Sequence, residues 1–328
     1  MLNIGIIGLG DFSIAHAKAI LEVSGLFLKA VCRTNEKKLN QFCSEYDVIG
    51  YTDYKELLKN KNIDIVLIST PHHLHTKFAI EAAKAGKHIL VEKPMAPSVE
   101  ECQQIIDAAQ HANVKLMIGQ TLRFHPASLY AEKIIKQSEI GSIIMGTATL
   151  TKCWINGERK PWHLEENSYG GVLRTLGIHY IDILNALMKS NVISVVAHIK
   201  SAFNDYKIDD TVMLLLRYEN GVESTILCVG YKQGFQRMEA EIYCKEGILK
   251  IDYLNGVYLK RNEEEILKQK VHLKEGMHIA LCNQWQEFRA AIIANRTPSV
   301  SGKEGAHGIA IIEAAIKSAK LRKEIFLN

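Results

Sequence analysis

The 328-residue chain predicts an α/β protein: a doubly wound parallel sheet first, then an α+β domain with a large, mostly antiparallel open sheet. Three observations carry this prediction. Short apolar runs alternate with helical patterns through the first third of the chain. The rhythm breaks near residue 123. Several β-rich runs separated by glycine-bearing turns then follow.

Residues 3–8 (NIGIIG), 26–32 (LFLKAVC), 63–70 (IDIVLIST), 88–92 (HILVE) and 114–119 (VKLMIG) read as buried strands. Between them, 13–23, 35–46, 74–85 and 98–112 carry helical spacing. Near-continuous apolar strands, each followed by a helix, need cover on both faces, as in a parallel sheet. After residue 123, helical patterns at 128–138 and 172–188 precede β runs at 192–200, 210–219, 223–231, 238–244, 248–254 and 256–261. Asn220-Gly221, Glu246-Gly247 and Asn255-Gly256 sit between runs, where hairpins call for turn residues. Helices at 277–295 and 303–321 complete the chain. The expected domains are 1–122 and 123–328, with the C-terminal helix free to pack back on the first.

Hydrophobic residues make up 47% and charged residues 23%, enough for an ordinary packed core. The net charge of +4 is spread along the chain, which gives no footprint for nucleic acid and no polybasic membrane anchor. No run approaches the ~20 apolar residues of a spanning helix, and the opening MLNIGIIGLG lacks a basic leader. Seven scattered cysteines without a Cys-x-x-Cys fit reduced thiols and a cytoplasmic location.

Gly8-Leu9-Gly10-Asp11-Phe12-Ser13 follows the first strand and opens the first helix. It is G-x-G-x-x-G with serine in the third glycine position. The first glycine permits the tight turn, the second admits a pyrophosphate, and the helix N-terminus supplies free N–H groups. Asp11, Phe12 and Ser13 are expected to line that pyrophosphate. The second strand ends Cys32-Arg33-Thr34, where an acidic residue would select NAD. Arginine and a hydroxyl suit a 2′-phosphate, so NADP(H) is preferred here over NAD(H), which stays as the alternative. Glu92-Lys93-Pro94 ends the fourth strand, at the edge where such sheets bind ligands. Thr70, Pro71, His72 and His75 follow the third strand and should border the cofactor. The cluster His72, His73 and His75 has no metal-ligand spacing, and no metal is expected.

TPHHLHTKFAIEAAKAGKHILVEKPMA (70–96), the glycine turn and GGVLRTLGIHYIDIL (170–184) together resemble the glucose-fructose oxidoreductase / inositol dehydrogenase / MocA (Gfo/Idh/MocA) family. The resemblance implies an N-terminal Rossmann domain and a C-terminal α/β domain whose large sheet serves oligomer formation. It implies oxidation or reduction of sugars and polyols by a pyridine nucleotide. Glu92 and Lys93 then lie beside nicotinamide, with Lys93 polarising the substrate oxygen and His179 transferring the proton. Histidine is suited to that transfer by its ordinary pKa of ~6.5.

The family often has aspartate four residues before that histidine, where this chain has Thr175. Threonine can orient the ring but brings no charge. Asp182, three residues on, either supplies the missing carboxylate or pairs structurally. Arg123 either binds substrate or makes an interdomain salt bridge. Lys152, Trp154, Trp162 and His163 are candidates for a sugar-binding wall, with Trp162-His163 standing where the family often has Trp-Arg. The expected assembly is a homodimer or homotetramer through the C-terminal sheet. The alternative reading is a catalytically weak NAD(P)-binding sensor on the same fold.

Overall fold

The computed structural model describes residues 1–154, 170–203 and 208–327. The chain forms two compact units: Met1–Thr121 with Leu281–His307, and Leu122–Ala280 with Gly308–Asn328.

The first unit runs β1 (Leu2–Ile7), α1 (Asp11–Glu22), β2 (Leu26–Cys32), α2 (Glu36–Tyr46), β3 (Ile49–Tyr51), α3 (Tyr54–Lys59), β4 (Ile65–Ile68), α4 (His75–Lys84), β5 (His88–Glu92), α5 (Val99–His111) and β6 (Leu116–Gly119). The six strands are all parallel, in the order β3-β2-β1-β4-β5-β6. Ile4, Ile6, Val66, Leu67, Ile89 and Leu90 are fully buried, which is why these strands read as unbroken apolar runs. Strand order reverses at the β1–β4 pair, and the carboxyl edge there is the ligand-binding crevice of such sheets. The helices begin where the sequence offers caps. Asn35 accepts from the Lys38 N–H at α2, and Ser98 accepts from the Glu101 N–H at α5. Residues 281–307 join this unit along β6, where the Ile118 N–H donates to the Val300 carbonyl at 2.9 Å.

The second unit contains α6 (Pro126–Gln137), β7 (Ile143–Cys153), a π-helical turn (Leu173–Gly177), α7 (Ile178–Met188), β8 (Val192–Lys200), β9 (Thr211–Tyr218), β10 (Glu223–Tyr231), β11 (Arg237–Cys244), β12 (Gly247–Asp252), β13 (Gly256–Arg261), β14 (Glu264–Lys270) and β15 (Ile325–Phe326). The helices α8 (Leu273–Ile293) and α9 (Gly302–Leu321) each contribute residues to both units. The sheet order is β14-β13-β12-β11-β7-β10-β9-β8-β15, antiparallel except where β7 and β10 pair in parallel. Along β9, Val212, Leu214, Leu216 and Tyr218 face inward while Met213 and Leu215 face out. The inner face is covered by α6 on β12 and β13 and by α7 on β7 and β10. The outer face leaves Met145, Met213 and Leu215 exposed.

The elements that sequence patterning passes over have physical reasons for their faint signal. β7 carries one glycine and three threonines, so it shows no apolar run, yet it sits in mid-sheet. β14 is EEILKQK, a charged and almost wholly exposed edge strand. The turn before it, Asn262-Glu263, has φ of 52° and 64°, the two positive values of a type I′ hairpin, with glutamate where glycine would announce the turn. The predicted helix 172–188 opens as a π turn: the Ile178 N–H reaches back five residues to the Leu173 carbonyl.

Candidate active site

At the end of β1 the Gly8 N–H donates to the Cys32 carbonyl at 3.0 Å, joining the first two strands. Gly8 has φ +94°, and a Cβ there would run into the Ser69 carbonyl oxygen, so only glycine fits. Ser13 is fully buried. Its hydroxyl donates to the Gly8 carbonyl at 2.7 Å, accepts the Gly10 N–H at 3.1 Å and lies 3.0 Å from Ser69 Oγ. Serine in the third glycine position therefore fastens the turn from within. Asp11 and Phe12 lie on its outer side, and Phe12 keeps about a third of its surface exposed.

At the end of β2, Arg33 folds back so that Nη1 donates to the Leu9 carbonyl at 2.5 Å. The guanidinium is thereby held against the glycine turn, and Thr34 beside it is exposed. Cys32 is buried, and burial, with a smaller contribution from Asp53, pushes its thiol up to about 11. It stays protonated and chemically quiet.

After β4, Thr70 and Pro71 lead into a 3₁₀ turn at His72–Leu74. His75 is fully buried between two backbone carbonyls, with Nδ1 2.9 Å from the Pro94 oxygen and Nε2 2.9 Å from the Thr70 oxygen. Burial lowers its pKa. Its ring thus ties the β4 loop to the Lys93 turn, faces backbone on both sides, and offers no nitrogen to a metal shared with His72 and His73. At the end of β5 the Glu92 carboxylate is buried, with Oε1 2.9 Å from His16 Nε2 and Oε2 accepting the Lys93 N–H at 3.3 Å. Lys93 is half-buried, and the Lys93–Pro94 bond is cis.

On this carboxyl edge Thr70 Oγ1, Gln120 Oε1 and Thr121 Oγ1 are buried without a hydrogen-bond partner among the described residues. Thr70 follows β4 and the other two follow β6, so they flank the β5 end on either side. Buried polar groups need partners. Donors and acceptors so placed, with a glycine turn that excludes Cβ atoms, fit a dinucleotide and its carboxamide ring.

In the second unit, Gly171 has φ +99°, and a Cβ there would strike Asp209 Oδ1. Asp209 closes the start of the π turn: its carbonyl accepts the Val172 N–H at 3.0 Å, and Oδ2 accepts the Leu173 N–H at 2.6 Å. Burial raises its carboxyl to about 6, against the opposing pull of those N–H groups. From Gly171 to Leu184 every residue is buried except Leu176 and His179, which are half-exposed. His179 is thus the most exposed polar side chain of this stretch. Thr175 is buried, and its hydroxyl donates to the Gly171 carbonyl at 2.6 Å. Its single hydrogen is spent there, so towards any imidazole it offers only lone pairs.

Arg123 makes a two-pronged bond to Asp182, Nε to Oδ2 at 2.9 Å and Nη2 to Oδ1 at 2.6 Å. Both oxygens of Asp182 are engaged by this pair. Lys152 is half-buried at the end of β7, whereas Trp154 has no exposed surface and cannot form a sugar-facing wall. Trp162 and His163 lie outside the described residues. Sequence reasoning passed over His16, Gln120, Thr121 and Asp209. The signal for His16 was its position three residues after Ser13, inside the first helix.

A parallel sheet ordered in this way, with a glycine turn on its first strand, defines a dinucleotide-binding protein of the Rossmann class. Residues 2–120 match the oxidoreductase family with an NAD-binding Rossmann fold, and residues 128–250 match the Gfo/Idh/MocA C-terminal domain. The chain belongs to the Gfo/Idh/MocA oxidoreductase family.

Among its relatives is a levoglucosan dehydrogenase of Pseudarthrobacter phenanthrenivorans, 26% identical over 287 residues, which span 77% of this chain and 74% of that one. Another is the 1-carboxy-3-chloro-3,4-dihydroxycyclohexa-1,5-diene dehydrogenase of Comamonas testosteroni, 28% identical over 70% of this chain. The match spans only 58% of that relative's own length. The fold is shared with an Agrobacterium radiobacter oxidoreductase solved with NAD+, L-tartaric acid and magnesium, at a TM-score of 0.90 and 19% identity over 99% of this chain and 98% of that one. It is shared equally with a levoglucosan dehydrogenase solved with NADH, at a TM-score of 0.90 and 23% identity over 100% and 99% of the two chains.

Proposed function

We propose that the protein is an NAD(P)-dependent dehydrogenase or reductase acting on a CH–OH group of a sugar, polyol or sugar derivative. The observation that carries this is the Lys93 turn at the carboxyl end of β5, flanked by the buried, unsatisfied polar atoms of Thr70, Gln120 and Thr121. The bound nicotinamide would supply the hydride acceptor or donor at C4. The protein's own residues do the rest. Gly8, Gly10, Asp11, Phe12 and Ser13 seat the pyrophosphate, and Thr70 and Glu92 border the ring. Pro71, His72 and His75 shape the loop beside it.

Lys93 donates a charged hydrogen bond to the substrate oxygen and stabilises the negative charge that develops there. His179 takes the hydroxyl proton in oxidation and returns it in reduction. Thr175 supports that helix start by its bond to the Gly171 carbonyl. Arg123, Lys152, Trp162 and His163 are assigned to substrate binding.

NADP(H) is the preferred cofactor in this reading. The support is Arg33, anchored on the Leu9 carbonyl beside the glycine turn with no carboxylate at the end of β2. Relatives that act on levoglucosan support a small carbinol substrate. We also propose a homodimer or homotetramer in which a second copy covers the apolar outer face bearing Met145, Met213 and Leu215. Seven free cysteines fit a cytoplasmic setting.

A second reading is favoured by one specific observation, the absence of a carboxylate at Thr175: a nucleotide-binding sensor with weak catalysis. Nicotinamide absorbance, followed with a panel of sugars, polyols and their acids, separates the two. Turnover supports the enzyme. Tight dinucleotide binding without turnover on the whole panel supports the sensor.

A further inference from the structure

His16 lies in α1 and has no exposed surface; it touches Phe12 one turn earlier in the same helix, Trp285 in α8 and Glu92 at the end of β5. Its two ring nitrogens have different partners. Trp285 Nε1–H donates to Nδ1 at 3.0 Å. An indole can only donate, so Nδ1 must be the accepting nitrogen and the ring hydrogen sits on Nε2. That hydrogen points at Glu92 Oε1, 2.9 Å away. On the other side of Oε1 stands Gly119, where a Cβ would collide with the carboxylate. Glu92 Oε2 in turn meets the Lys93 N–H. Phe12 of the glycine turn packs edge-on against the same imidazole, 5.1 Å between ring centroids. One buried ring therefore joins the pyrophosphate turn, the Trp285 helix and the turn that carries Lys93.

We propose that His16, its tautomer set by Trp285, is a positioning residue that holds Glu92 and thereby the Lys93 turn in register with the glycine turn. The proposal rests on the roles given above to Glu92, at the nicotinamide ring, and to Lys93, at the substrate oxygen. The physical reason is directional. With the hydrogen on Nε2, the ring donates to the carboxylate. With the hydrogen on Nδ1, it would set a lone pair against the carboxylate and push Glu92 away. Trp285 decides between these states from outside the reacting region, by a single N–H.

The test uses NADPH and NADH, taking whichever binds the wild type more tightly, with the matching ADP-ribose (2′-phosphorylated for NADPH) as the control that lacks nicotinamide. Calorimetry gives both affinities for wild type, Trp285→Phe, His16→Leu and His16→Gln. Trp285→Phe keeps the packing and removes only the donor. His16→Gln keeps a group that can accept from Trp285 and donate to Glu92. The expected result is a loss of about 10-fold for the dinucleotide in Trp285→Phe and His16→Leu, the scale of one buried hydrogen bond. The ADP-ribose affinity changes about 2-fold or less, and His16→Gln recovers most of the loss.

Equal losses on both nucleotides, or no loss in Trp285→Phe, would show that His16 is packing alone and overturn the proposal. Should His16→Leu fail to fold, Trp285→Phe decides. A wild type that binds neither dinucleotide overturns the functional reading and this proposal with it, an outcome distinct from the others. Nitrogen-15 NMR of the imidazole adds a direct check. The ring hydrogen is expected on Nε2 in the wild type, and a hydrogen on Nδ1 contradicts the account.

Discussion

The candidate residues of the two units are held in different ways. In the first unit, side chains distant in sequence fix the cofactor turn and the Lys93 turn. Ser13 bonds inside the glycine turn, Arg33 lies over Leu9, and Trp285, His16 and Glu92 form a buried chain. In the second unit, backbone does most of the holding. Gly171 adopts a positive φ, the π turn precedes His179, and Thr175 spends its hydroxyl on the carbonyl four residues back. One side chain, Asp209, closes the helix start from another loop. The difference teaches that the turns of the first unit depend on side chains brought together from distant parts of the sequence, whereas the helix start that carries His179 is specified mostly by its own neighbours.

The largest expected effects break the chemistry itself. Lys93→Met and His179→Ala should each lower kcat by about 100-fold or more, the scale of a lost charge stabiliser or general acid–base group, while wild-type melting behaviour is retained. Steady-state kinetics and a thermal melt check both statements. Next is Gly8→Ala. The positive φ and the nearby Ser69 carbonyl should cost about 1–3 kcal/mol of stability and abolish tight dinucleotide binding, as read by calorimetry and melting.

Arg33→Ala sharpens the comparison on the cofactor side. NADPH affinity should fall about 10-fold and NADH affinity about 2-fold or less. Equal losses would remove the case for a 2′-phosphate.

The second unit offers a pH test whose sign is fixed by two groups. Asp209, with its carboxyl raised to about 6, contributes stability that is present below the ordinary carboxylate range and is lost as pH rises through about 6. His125, buried and lowered to about 4, contributes stability that is present above about 6.5 and is lost as pH falls through about 4. Asp209→Asn should therefore raise the melting temperature at pH 8 and lose that advantage by pH 4. His125→Asn, which keeps an N-cap acceptor for the Ala127 N–H, should show its advantage only on the acid side. The smallest effect on rate is Thr175→Asp. A carboxylate there favours the imidazolium, so the limb of the oxidation rate profile that requires neutral His179 should move to higher pH. The buried carboxylate cannot donate to the Gly171 carbonyl as the threonine does, so the melting temperature should fall.

Much of this was legible before the structure, and the reasons differ by region. The parallel sheet announced itself because strands such as IVLI and ILV are buried on both faces and carry no polar interruptions. The glycine turn and Glu92-Lys93 were legible because their backbone demands restrict residue type. β14 and its Asn262-Glu263 turn were not, because an exposed edge strand needs no apolar pattern and the positive φ at Glu263 has no glycine to mark it. Within the site, sequence could offer His16 only as a helix residue. Its meaning comes from Trp285, which stands 269 positions away. Asp182 illustrates the reverse. Helical spacing brought it near His179 on paper, but its carboxylate is taken by Arg123, 59 positions earlier.

The central claim is that the first unit binds a pyridine nucleotide and that Lys93 acts in the chemical step rather than in binding. Single-turnover nicotinamide absorbance on the wild type and Lys93→Met, with dinucleotide affinity measured in parallel, tests it most directly. Affinities should lie within about 3-fold of each other, and hydride transfer should be slowed by about 100-fold or more in the variant. Transfer at the wild-type rate in Lys93→Met would contradict it.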